Sequence, residues 1–114
     1  MTAETIEQWA ARVAPTLGAK GWEALNKGHG AVSMDGEFVT HRFRGGLTDR
    51  GRALLAYRDA RISGLFHQQK EAFLRGEPQA AMGFEHLQRV DILDDHGDFT
   101  DFGREVARAL REGE

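Results

Sequence analysis

The sequence predicts a helix-rich α+β fold, with four to five helices, one clear β-hairpin over 31–43 and a second, shorter hairpin or irregular turn over 90–99. Three observations predict it. Apolar residues recur at helical spacing in several separate stretches, beginning with Ile6, Trp9, Ala10 and Val13. Asp35-Gly36, a favoured pair for a two-residue type I′ turn, joins Ala31–Met34 to Glu37–Phe43. Glycine makes up 14 of 114 residues and cuts the chain into short segments without any low-complexity period.

Each element has its own signals. Thr5 and Gln8 have the spacing of a capping box for the first helix, with Thr2 as an alternative cap one turn earlier. Its apolar stripe continues to Leu17, and Pro15 forces a kink or a restart. A second helical piece is expected from Ala19 to Asn26, with Trp22 and Leu25 inward, ended by Gly28-His29-Gly30. Arg44-Gly45-Gly46 closes the hairpin.

Thr48 is the expected N-cap of a central helix, and Asp49 suits its positive end. Leu54, Leu55, Ile62, Leu65 and Phe66 fall on one side, with Ala53, Ala56 and Ala60 nearly opposite, so packing on both sides is expected. This helix either runs to Arg75 or breaks near Ser63-Gly64; Gly76 ends it in both cases. Pro78 fits the first turn of a helix over 79–89, with Met82, His86 and also Leu87 as inward candidates. Val90–Leu93 and Asp98-Phe99 flank the turn Asp94–Gly97. Thr100 caps a last helix with Phe102, Val106, Ala109 and Leu110 on one face, and Arg104, Arg108 and Arg111 with Glu105 and Glu112 on the other.

Length and composition set the frame. A chain of 114 residues with 40% hydrophobic content is one domain's worth of sequence and can bury a core. Its net charge of −3 is too small to enforce disorder. The absence of cysteine excludes thiol catalysis and thiolate metal sites and favours a reducing compartment. The acidic start, Met1-Thr2-Ala3-Glu4, fits no targeting peptide, and no apolar run approaches the ~20 residues of a membrane span. A cytoplasmic protein without membrane partners is expected.

Two segments share one pattern, apolar-Thr-Asp-x-Gly-Arg: Leu47–Arg52 and Phe99–Arg104. Each follows a candidate hairpin and opens a helix. Outside these six positions the two halves do not align, so the sequence gives evidence of a repeated motif and not of a duplicated domain. The pattern resembles winged-helix proteins, in which such a stretch starts the helix after the wing hairpin. That resemblance implies a regulatory module that reads DNA with a helix, or that binds protein instead. The helices that would do the reading are poor in cations: residues 2–26 hold only Arg12 and Lys20, with Lys27 just beyond, and residues 79–89 only Arg89.

Catalytic and metal signatures were sought among the five histidines and the carboxylates. No His-Glu-x-x-His spacing exists, and an EF-hand centred on Gly97 would place Ile92 and Gly103 where carboxylates are required. Gly28-His29-Gly30 lacks the context of a dinucleotide fingerprint, and no Walker A sequence is present. No enzyme, cofactor or metal is therefore expected.

Charge is the remaining functional signal. Residues 42–61 hold six arginines against Asp49 and Asp59, a local net of +4, whereas residues 91–114 hold eight acids against three arginines, a net of −5. Arg42, Arg44, Arg50, Arg52 and Arg61, with Tyr57 among them, form the candidate site for nucleic acid or an acidic partner. Arg58 falls near the apolar stripe, where a carboxylate would have to accompany it. Asp91, Asp94, Asp95, Asp98 and Asp101 form a candidate acidic surface for a basic protein. Two functions follow: a winged-helix-like module binding DNA or protein, or an inhibitor or adaptor of the kind phages and mobile elements encode, mimicking phosphates with those acids. A monomer and a homodimer fit equally.

Overall fold

The computed structural model describes residues 3–41, 43–78 and 83–113. Among them are six α-helices and a two-stranded antiparallel hairpin, a helix-rich α+β fold. The chain forms two compact units, Met1–Arg58 and Asp59–Glu114.

In the first unit, α1 (Ile6–Val13) starts at the capping box: Gln8 N–H donates to Thr5 Oγ1 at 3.1 Å, and Thr5 N–H donates to Gln8 Oε1 at 2.9 Å. Pro15 sits in a 3-10 turn over Ala14–Thr16, which separates α1 from α2 (Ala19–Lys27). Gly28, at φ 71°, ends α2 in the left-handed region. Strands β1 (Ser33–Met34) and β2 (Glu37–Phe38) pair Ser33 with Phe38 and Met34 with Glu37. Asp35 (φ 53°) and Gly36 (φ 81°) take the positive φ values that the type I′ turn requires.

The hairpin is shorter than the 31–43 expected, because the chain reverses a second time. Thr40 bridges to Leu47, leaving 41–46 as a separate loop. α3 (Asp49–Ser63) follows. Trp9, Val13, Leu17, Trp22, Leu25, Val39 and Leu54 are buried together as this unit's core.

In the second unit, α4 (His67–Leu74) packs against α6 (Asp101–Glu112), with the six-residue α5 (Phe84–Arg89) between them in sequence. Phe73, Leu87, Ile92, Leu93, Phe102 and Val106 are its most buried large side chains. The Phe73 ring meets Phe99 nearly edge-on, centroids 5.2 Å apart. The 90–99 region pairs through one bridge, Leu93 to Phe99.

The repeated motif has the same geometry in both units. Thr48 N–H donates to the Val39 carbonyl at 3.2 Å, and Thr100 N–H to the Ile92 carbonyl at 3.1 Å. Gly51 N–H donates to Thr48 Oγ1 at 3.1 Å, and Gly103 N–H to Thr100 Oγ1 at 3.0 Å. A Cβ on Gly51 would collide with the Val39 carbonyl oxygen, and one on Gly103 with the Ile92 carbonyl oxygen. Glycine is thus required at both sites because the helix start lies directly against the backbone of the preceding segment, at Val39 and at Ile92. Beyond the six motif residues, the order of α-helices and paired loop among the described residues also repeats: two α-helices, a paired loop, then a longer α-helix.

Of the two ends open for the central helix, the break near Ser63-Gly64 is the one that forms: the helix stops at Ser63, and Gly64-Leu65 turns the chain into α4. Several other expectations are corrected. That break carries Phe66 to the N-cap of α4, 72% exposed, instead of into the core. Ala56 and Ala60 are exposed, so α3 is not buried on two sides; alanine has too little apolar area to enforce burial. On α5 it is Leu87 that is buried, and His86 is exposed; Met82 and the first residues of the helix expected over 79–89 lie outside the described residues. Glu105 belongs to the buried face of α6, where the Arg108 guanidinium holds it through two bonds of 2.9 and 2.7 Å.

Candidate functional site

The 41–46 loop of the first unit is tied at both ends. Beside the Thr40–Leu47 bridge, His41 N–H donates to the Gly46 carbonyl at 3.0 Å, and Gly46 N–H to the Gly28 carbonyl at 2.5 Å. Gly45 and Gly46, at φ 68° and 85°, make the reversal that a side chain would strain. Between these ties His41, Phe43 and Arg44 face solvent, and Phe43 is 92% exposed.

The other arginines of this unit have neighbours. The Arg50 guanidinium lies 4.6 Å from the centre of the Trp9 ring and its Nε is 3.2 Å from Glu37. Arg52 donates to the Leu47 carbonyl at 2.9 Å and pairs with Asp49. Arg58 donates to Asn26 Oδ1 at 2.8 Å. Arg12 bridges Glu4 and Asp35 at 2.9 and 2.7 Å, and its hydrogen bond holds the Glu4 carboxyl below its usual range. Arg50 and Arg52 share an open depression with His41, Glu37 and Asp49, so its charge is mixed. Tyr57 is half-buried on α3; Arg61 lies in the second unit, and Arg42 is outside the described residues.

In the second unit the equivalent loop is 94–98. Asp94 turns inward: its Oδ1 accepts from His96 N–H at 2.9 Å and Asp98 N–H at 3.0 Å, and these bonds hold its carboxyl below the usual range. Asp91, Asp95 and Asp98 are exposed, and Asp101 pairs with Arg104 at 2.7 Å. The five acids named from sequence therefore divide, since Asp94 shapes its own loop and Asp101 its own helix start. Among the described residues no three His, Asp or Glu side chains converge as a metal site, and no helix is long and apolar enough to cross a membrane.

Phe43 was missed as a site residue. Its only local signal is its position between two arginines, just before Gly45-Gly46. No protein-family model, curated protein or solved structure matches the chain.

Proposed function

We propose that the protein is a small non-enzymatic binding module of winged-helix-like build whose first unit engages nucleic acid through the 41–46 loop. The observation that carries this reading is Phe43, 92% exposed beside exposed Arg44 on a loop anchored at both ends. Arginine pairs with phosphate, and an aromatic ring stacks on unpaired bases with little regard to sequence. The loop also precedes the Thr-capped helix, where a wing would lie. The other arginines of this unit contribute less, because Arg50 and Arg52 already neutralise Glu37 and Asp49.

Fluorescence anisotropy with labelled single-stranded and duplex DNA at ~50 mM and ~200 mM salt tests the proposal, since contacts to phosphate release counterions. Binding that weakens steeply with salt and is lost in Phe43→Ala/Arg44→Ala, with an unchanged melting curve, is the expected result. Absence of binding at the lower salt overturns it.

A second reading is favoured by one observation: exposed Asp95 and Asp98 occupy the equivalent loop of the other unit. In that reading the protein is an inhibitor or adaptor that presents carboxylates to a basic protein. Asp95→Asn/Asp98→Asn would then weaken the complex, and leaving it intact would exclude phosphate mimicry.

A further inference from the structure

We infer that the 41–46 loop takes an unpaired base together with its adjoining phosphate, so that its ligand class is a single strand, a loop or a bulge and not an intact duplex. This ligand class rests on the nucleic-acid reading of the loop and narrows it.

The charges of the first unit disfavour a duplex. Duplex binding draws its strength from many phosphate contacts, on the order of six to ten in strong binders. Here Arg12 sits against Glu4 and Asp35, Lys27 against Glu23, Arg50 against Glu37 and Arg52 against Asp49. A row of phosphates brought to these pairs would meet the carboxylates as well as the cations, and the two effects offset each other. Arg44 is exposed and pairs with no carboxylate among the described residues. Its guanidinium suits a single phosphate.

The ring supplies what the charges do not. Phe43 is 92% exposed and next in sequence to Arg44, so a base and the phosphate beside it find their partners on neighbouring residues. The loop is held in advance by the Thr40–Leu47 bridge and by His41 N–H donating to the Gly46 carbonyl at 3.0 Å, which leaves less backbone to order on binding. A base inside a duplex has both faces covered by its neighbours. Exposing one means unstacking it, a cost that a single strand, loop or bulge does not carry.

Fluorescence anisotropy at ~50 mM salt, where phosphate contacts are strong, tests this with a labelled oligothymidine, a blunt duplex, and the same duplex carrying an unpaired bulge. The oligothymidine and the bulged duplex are expected to bind roughly tenfold more tightly than the blunt duplex, the worth of one stacked base. Phe43→Leu should bring both down to the blunt-duplex level and leave the blunt duplex unchanged, with an unaltered melting curve because the ring is exposed. A blunt duplex that binds as tightly as the single strand, or a bulge that gives no gain, overturns the unpaired-base assignment and leaves the nucleic-acid reading of the loop standing. A preference that survives Phe43→Leu overturns the ring as its reader. Binding of none of the probes overturns both readings.

Discussion

The 41–46 and 94–98 loops stand at the same place in their units, each closed by one bridge and each followed by a threonine-capped helix whose glycine abuts a backbone carbonyl just before the loop. What they present is opposite. The first offers His41, Phe43 and Arg44 from a unit with eight lysines and arginines against six acids; the second offers Asp95, His96 and Asp98 from a unit with seven against twelve. Threonine and glycine hold the frame through backbone contacts that admit little change, while His41, Phe43 and Arg44 in one loop and Asp95, His96 and Asp98 in the other are exposed. A frame of this kind can be used twice and carry different chemistry each time.

The largest effects should come from breaking the frame. Gly51→Ala and Gly103→Ala would each cost about 3 kcal/mol, because a Cβ meets a fixed carbonyl; elsewhere in a helix the same change stabilises by roughly 0.5–1 kcal/mol. Denaturant unfolding of the two variants checks this, and a neutral result at either site would mean that the two frames are not equivalent.

Thr100→Ala should cost about 2 kcal/mol and Thr48→Ala about 1 kcal/mol. Both lose a cap, but the Thr100 hydroxyl also donates to the Asp91 carbonyl. Equal losses would remove this distinction between the units.

The loops should also differ with pH. Asp94 titrates below its ordinary value in the folded chain, so its support for the 94–98 loop is complete above the unfolded value of ~3.9 and is lost as pH falls through the lower folded one. The amides of His96 and Asp98 should then shift with a midpoint below ~3.9, and a midpoint at or above that value would show that those bonds do not form. The smallest effect is expected from Arg52→Ala and Arg104→Ala, whose pairs with Asp49 and Asp101 are exposed and worth less than about 0.5 kcal/mol each in thermal melts.

The parts of this fold legible in the sequence are those decided within a few residues. Thr5 with Gln8, Thr48, Thr100 and the Asp35-Gly36 turn depend on nearby backbone groups, and each forms as read. Burial depends on what arrives from elsewhere in the chain. Helical spacing put Glu105 among the solvated charges, but Arg108 one turn away accompanies it into the buried face. The same spacing put Phe66 in the core, and the break at Gly64 removed it. At the candidate site the sequence supplied the arginines but not their pairings: Trp9 and Glu37, both distant in sequence, take up Arg50. Phe43 went unnoticed because an aromatic in a strand-like run is ordinarily read as core.

The most direct test of the contrast between the loops is amide shift mapping of the intact chain with a short single-stranded DNA at ~50 mM salt, where phosphate contacts are strong. Shifts concentrated in 41–46 and its flanks, with 94–98 unmoved, are the predicted result. Shifts concentrated in 94–98, or spread over the helices with 41–46 unmoved, would contradict it.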